Sequence, residues 1–266
     1  MNILDKIVEN TKKEVQERKQ LISINELEKS DFFERKTHSA INFFPPYNKE
    51  LSGIIAEYKR QSPSKGIINA TTDVEFITKG YADAGASMLS VLAEEMYFGG
   101  SMEFVTRARI ANNIPVLRKD FIIDEYQVIE AKSIGADAIL LIAACLSRKE
   151  MIDLGQLAHS LGLSVLMEVH NEEELENCIN PYIDLLGVNN RNLKTFEVNI
   201  ETSISLVNKI PIEFIKVSES GLSDAETINK LKAYGYTGFL IGETFMKTDN
   251  PPKALEQLVN NLKKTI

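Results

Sequence analysis

Tryptophan is absent from the 266 residues, cysteine occurs twice and histidine three times. Cys145 lies in an apolar strand-like run and Cys178 on an apparent helix, with no ligand-like spacing between them. They read as buried thiols, which excludes a disulfide framework. His38, His159 and His170 are scattered, and no pair has the spacing of a metal clamp, so no metal cofactor is expected. Long apolar runs are also missing. The longest, Ala138 to Leu146, is far below the roughly 20 residues a membrane-spanning helix needs. The N-terminus, with Ile3-Leu4-Asp5-Lys6, mixes acids and bases in an amphipathic pattern and lacks the apolar core of a secretory signal, so a cytoplasmic location is expected. There is no excess of basic residues, because 30 Lys and Arg stand against 38 Asp and Glu for a net charge of −8. A nucleic-acid partner, which needs a broad basic surface, is not expected. A small anion held in a local basic pocket remains compatible with that charge.

What is present is ordinary globular composition, 44% hydrophobic and 26% charged. Short β-branched runs alternate with helical patterns, as a parallel sheet with crossover helices requires. The candidate strands are Gly53–Lys59, Ser87–Leu92, Ile114–Lys119, Ala138–Ala143, Leu163–Val169, Leu185–Asn189, Phe214–Glu219 and Gly238–Gly242. Eight such units fit a closed (β/α)8 barrel, the TIM-barrel class of α/β fold, whose usual size is about 250 residues. The alternative, an open doubly wound sheet, is weakened by the lack of a Gly-x-Gly-x-x-Gly turn after the first strand. Residues 1–50 read as an N-terminal helical extension and 51–266 as the barrel, together one domain from 1 to 266. Leu4, Ile7 and Val8 share a helical face, as do Phe32 and Phe33, so extra helices packed on the barrel are expected. Pro45-Pro46 breaks the helical pattern before the first strand.

In such barrels catalytic groups sit at the carboxyl ends of strands, so polar residues closing apolar runs are the candidates. The period of two puts Glu57 and Lys59 on the face of Ile55. They meet at the barrel mouth if Ile55 points inward; otherwise they form an ordinary surface ion pair. Lys119 falls with Leu117 and Pro115, while Arg118 faces the other way. An inward lysine among apolar walls is a tunable proton donor, and a solvated lysine is the plainer reading. Glu168 closes the fifth run, where burial demands a partner or a raised pKa, and either suits acid–base work. Asn171 and Glu174 resemble a helix cap with its reciprocal acid, and His170 reads equally well as a loop residue. Asn189 and Arg191 share a face, and arginine suits a bidentate grip on carboxylate or phosphate. Ser218-Glu219-Ser220-Gly221 and Leu240-Ile241-Gly242-Glu243 end the last two strands in the order expected of a phosphate cradle built from backbone N–H groups. The Glu243 side chain is expected to turn outward to solvent, leaving its amide to serve.

The run Ile55-Ala56-Glu57-Tyr58-Lys59-Arg60-Gln61-Ser62-Pro63-Ser64-Lys65-Gly66 resembles the first-strand signature of indole-3-glycerol phosphate synthases. Tyr97-Phe98-Gly99-Gly100-Ser101, Arg118-Lys119-Asp120-Phe121, Met167-Glu168-Val169-His170 and Gly187-Val188-Asn189-Asn190-Arg191 agree in order, and the likeness covers essentially the whole chain. Two departures stand out. Tyr58 replaces a usual aliphatic residue, and Ala93 replaces a common threonine in the second loop. The resemblance implies ring closure, decarboxylation and dehydration of 1-(2-carboxyphenylamino)-1-deoxyribulose 5-phosphate, with no organic cofactor or metal. By position it implies Lys119 as general acid, Glu168 as stabiliser of the cationic intermediate, and Glu57, Lys59 and Asn189 as the rest of the polar ring. It further implies Arg191 and Ser62 at the substrate carboxylate, Phe98 and Phe121 as walls for the aromatic ring, and Glu219, Ser220, Gly221, Gly242 and Glu243 in the substrate site. Association with other enzymes of tryptophan biosynthesis stays open. So do two other readings, a barrel aldolase with Lys119 or Lys59 as Schiff-base nucleophile and a noncatalytic sensor of a phosphorylated metabolite.

Overall fold

Eight apolar runs of four to six residues alternate with amphipathic helices, and each strand is buried on both faces, as parallel strands sandwiched between a barrel interior and an outer helical layer must be. The computed structural model describes residues 3–45, 47–193 and 195–264, so Pro46 of the expected helix break lies outside the described residues. The strands are β1 (Ile54–Tyr58), β2 (Met88–Leu92), β3 (Val116–Lys119), β4 (Ala138–Ile142), β5 (Ser164–Val169), β6 (Leu185–Asn189), β7 (Ile215–Glu219) and β8 (Gly238–Ile241). Every neighbouring pair is parallel, and β1 closes the barrel by pairing with both β8, through Ile54 opposite Phe239, and β2, through Ile55 opposite Met88. The fold expected from the pattern is the fold observed, with strand ends within two residues of the sequence limits.

Parity along each strand sorts the core into two shells. Ile55, Met88, Leu117, Leu166, Leu185 and Leu240 point inward and fill the barrel. Their neighbours Ile54, Leu89, Val116, Val165, Leu186 and Phe239 point outward under the helices. Tyr58 is outward, as its parity demands; its ring packs edge-on against Phe104, with centroids 5.7 Å apart, and its hydroxyl donates to the Thr72 carbonyl. Arg118 is outward and wholly buried. Its guanidinium holds Asp120 and Glu130 at 2.8 Å each and donates to the Gln127 carbonyl, so it ties the end of β3 to the following helix.

The N-terminal extension reaches both ends of the barrel. Helix α1 (Ile3–Leu21) runs to the carboxyl end, where Lys19 pairs with Asp124 at 2.7 Å, and α2 (Ile24–Leu27) follows it. Phe32 and Phe33 are in turns and not on a helix, contrary to the pattern reading. Ser30-Asp31 favours local turn bonds there, and Phe33 N donates to Ser30 O, Arg35 N to Phe32 O. The chain then passes to the amino end, where buried Asp137 accepts from His38 N and Arg35 at 2.8 Å each. Ala40 and Phe44 plug the barrel floor and join the interior shell.

Candidate active site

The inward parity that fills the barrel with aliphatic side chains continues past the last apolar layer into charge. From Ile55 it leads to Glu57 and Lys59, from Leu117 to Lys119, from Leu166 to Glu168, from Leu185 to Asn189 and from Val217 to Glu219. These groups floor a cavity of about 490 Å³ at the carboxyl ends of the strands. Every site residue named from the sequence lines it: Glu57, Lys59, Ser62, Phe98, Lys119 and Phe121, with Glu168, Asn189, Arg191 and Glu219, then Ser220, Gly221, Gly242 and Glu243.

At the floor, Lys119 Nζ lies 2.8 Å from Glu168 Oε2 and 3.3 Å from Glu219 Oε2. Asn189 donates to Glu168 Oε1 at 3.1 Å, and Lys59 Nζ lies 2.6 Å from Glu57 Oε1. Two ammonium groups thus share three carboxylates that are each at most 4% exposed. Burial opposes the Lys119 charge, but Glu168, Glu219 and Glu57 outweigh it and the pKa rises above the ordinary lysine value. Burial likewise works against ionised Glu168, yet Lys119 and His170 hold its carboxyl well below the usual range. Glu219 goes the other way. Burial comes first, and the neighbouring Glu168 and Glu57 add to it against Lys119, so the pKa is pushed up to about 8. Among the described residues its Oε1 has no hydrogen-bond partner. The ring therefore holds an ionised Glu168 beside a Glu219 that keeps a proton at neutral pH, a separation suited to acid–base chemistry. The feature that lets Glu219 turn inward went unnoticed in the sequence: Gly187 on β6, where a β-carbon would collide with Glu219 Oε1.

The cavity walls are set by loops. Phe98 and Phe121 form a tilted aromatic pair with centroids 6.0 Å apart. Glu94 Oε2 accepts from Tyr97 N at 2.8 Å and Phe98 N at 2.9 Å, which fixes the second loop despite Ala93 at its start. Burial leads the causes that raise Glu94 to a pKa of about 7. Asp120, itself held by Arg118, accepts from Phe121 N at 2.8 Å. Ser62, on a short antiparallel hairpin of Gln61–Ser62 and Gly66–Ile67, is 8% exposed. Apolar residues that sequence reasoning missed complete the wall: Leu193, Phe196 and Val198 from the loop after β6, and Ile3, Leu4 and Ile7 from α1. The apolar face at Leu4 and Ile7 was the available signal, but it does not say which surface it covers.

After β7, Ser220 and Gly221 have successive positive φ of 66° and 77°. A serine there is strained, and Asn190 supports it by donating to the Ser220 carbonyl at 3.1 Å. Gly242 precedes the short helix Glu243–Met246, but its lack of a side chain has a second cause: a β-carbon would stand 2.6 Å from Glu57 Oε1. Glu243 departs from expectation. Its carboxylate does not turn away to solvent but lies 3.7 Å from Arg191 and 3.8 Å from Lys65, because two cations at the mouth attract it. Arg191 also donates to the Phe196 carbonyl.

A closed eight-stranded barrel with an ion-pair ring and an aromatic wall at the carboxyl ends of its strands is a (β/α)8-barrel enzyme. Solved structures agree on the fold: 3-hexulose-6-phosphate synthase from Salmonella typhimurium superposes with a TM-score of 0.65 at 11% identity, over 80% of this chain and 100% of that one. The family model for indole-3-glycerol phosphate synthase matches residues 4–258. The indole-3-glycerol phosphate synthase of Bacteroides thetaiotaomicron is 46% identical over 97% of this chain and 98% of its own, and that of Polaromonas naphthalenivorans is 47% identical over 77% and 78%. The chain belongs to the indole-3-glycerol phosphate synthase family, decarboxylating lyases of tryptophan biosynthesis.

Proposed function

We propose that Lys119, Glu168, Glu57, Lys59 and Asn189, with Glu219, carry out ring closure, decarboxylation and dehydration of 1-(2-carboxyphenylamino)-1-deoxyribulose 5-phosphate to indole-3-glycerol phosphate. The observation that carries the reading is Lys119 held between two buried carboxylates beneath an aromatic wall. The anthranilate ring lies against Phe98 and Phe121. Its carboxyl-bearing carbon attacks the ribulose carbonyl carbon, and Lys119 delivers a proton to the carbonyl oxygen as the carbon–carbon bond forms. The dearomatised ring is cationic, and ionised Glu168 offsets that charge until carbon dioxide leaves and the ring electrons return. Dehydration then needs a proton on the leaving hydroxyl and a base for the ring proton. Glu219, protonated near neutral pH, and Glu168 fit those roles.

Arg191 and Ser62 take the substrate carboxylate, and the turns at Ser220, Gly221, Gly242 and Glu243 take the phosphate through backbone amides, with Lys59 adding charge. Anchoring both ends of one flexible molecule holds its halves in a near-attack pose. Assignment of residues 1–50 and 51–266 to one domain, a cytoplasmic location and docking on other enzymes of tryptophan biosynthesis belong to the same proposal. The packing of Ala40 and Phe44 inside the barrel supports the first. Among the described residues no helix is long and apolar enough to cross a membrane.

The test is the rise of indole-ring fluorescence when the purified chain meets the synthetic carboxyphenylamino substrate. No rise at any substrate concentration refutes the reading. Inactivation by borohydride only when substrate is present favours the Schiff-base aldolase instead.

A further inference from the structure

The imidazole of His170 stands outside the cavity wall and between two carboxylates. Its Nε2 lies 3.3 Å from Glu168 Oε1, off the line of a full hydrogen bond, and its Nδ1 lies 3.1 Å from Glu174 Oε2. Glu174 belongs to the helix Glu172–Cys178 and is itself fixed: Oε2 accepts from His170 N at 2.8 Å, Oε1 accepts from Asn171 Nδ2 at 2.7 Å, and Glu174 N donates to Asn171 Oδ1 at 2.9 Å. The imidazole is 9% exposed, Glu168 4% and Glu174 20%. A neutral imidazole has one N–H and one lone pair, and an ionised carboxylate only accepts. With an anion at each nitrogen, a neutral ring would aim its lone pair at a carboxylate, and only the imidazolium suits both sides.

At the barrel mouth Lys119 from β3, and the neutral Asn189 from β6 beside β5, both bond Glu168. The turn Ala143–Cys145 after β4 packs on the helix Glu172–Cys178 and brings the Cys145 thiol near both carboxylates. Burial pushes that thiol up to about 12, so it adds no charge at neutral pH. Burial also opposes a charge on His170, but Glu168 and Glu174 reverse the effect and raise it to about 10.

We infer that His170 is a positioning residue: a standing imidazolium, anchored by Glu174, that keeps Glu168 ionised and oriented when Lys119 gives up its proton to substrate. The inference rests on the proposed roles of Lys119 and Glu168. Proton transfer turns the Lys119 ammonium into an amine and removes the main cation from Glu168. Without a second cation that carboxylate would compete for the same proton. His170 neither gains nor loses a proton in the cycle, and it touches no substrate.

The first measurement is a pH titration of the histidine Cε1–H signals of the wild-type enzyme by NMR. With only three histidines, the His170 signal is identified by its loss in His170→Gln. It should stay at the protonated position through pH 8, and a midpoint near 6.5 would overturn the inference even if every variant failed to fold. The second is the pH profile of kcat/KM. A charge within ~4–6 Å shifts a carboxylate by roughly 1–3 pH units, so His170→Gln should move the acidic limb up by about that much, with KM little changed. Glu174→Gln should bring the His170 titration itself down toward neutrality. An equal loss at every pH would mean that His170 only packs, and an unchanged profile would mean that it does nothing for Glu168. Glu168→Gln separates the two claims: full activity there refutes the role of Glu168, whereas the NMR titration tests His170 without any turnover.

Discussion

Lys119 keeps a charge that burial alone would weaken, because the charges of Glu168, Glu219 and Glu57 favour it, and that pairing makes it both a retained proton store and a structural counter-ion. Removing it separates the two roles. In Lys119→Ala, Glu168 and Glu219 lose their shared cation, but Glu219 already holds a proton at neutral pH and needs none, while His170 remains beside Glu168. Circular dichroism should therefore show a folded barrel, while kcat/KM in the fluorescence assay falls by roughly 10²–10⁴, the range for loss of a positioned proton donor. Near-wild-type efficiency would remove Lys119 from the mechanism. Arg118, one residue earlier, was also correctly separated by parity, since a period of two decides which of two adjacent cations enters the barrel. The partners of His170 could not be read in the same way. They combine a strand end and a helix start, and only packing brings Glu168 and Glu174 to opposite sides of one ring.

The strand and the turn that follows it form the working element here. Each barrel strand supplies an aliphatic layer and then a polar side chain of the same parity, which is why the catalytic candidates were readable as polar closures of apolar runs. Glycines at strand ends were harder to interpret. Gly242 was expected to matter through its amide, yet the structure gives its α-carbon a steric duty, because a β-carbon would stand 2.6 Å from Glu57 Oε1 and 2.9 Å from Glu57 Cβ. Gly242→Ala should therefore push Glu57 out of its pair with Lys59 and lower kcat by about tenfold or more, as small misplacements of a catalytic group do. Binding of inorganic phosphate, measured by calorimetry, should weaken less than turnover. If phosphate binding fails while kcat at saturating substrate is kept, Gly242 acts on the cradle alone.

At the scale of the whole molecule, the extension serves two ends with different duties. Ile3, Leu4 and Ile7 close the cavity at the carboxyl end, and Ala40 and Phe44 plug the amino end, so stability and catalysis draw on separate parts of one segment. Phe44 is fully buried, and Phe44→Ala should cost ~3–5 kcal/mol in urea unfolding, the usual range for emptying a phenyl site in a core. At temperatures where the variant is folded, kcat should stay within about twofold of wild type. A large fall in kcat with little change in stability would mean that the plug communicates with the site.

The sequence by itself determined the barrel, its strand limits, the face each acid–base residue shares with its strand's apolar residues and the family. These depend on periods of two and 3.6 and on polar residues next to apolar runs, all of which are local along the chain. Tertiary structure alone decided where the extension goes, why Gly187 and Gly242 lack side chains, which way Glu243 turns and what surrounds His170. Each of those depends on atoms from elements far apart in sequence, and their distances are set by barrel closure and helix packing, which no local pattern carries.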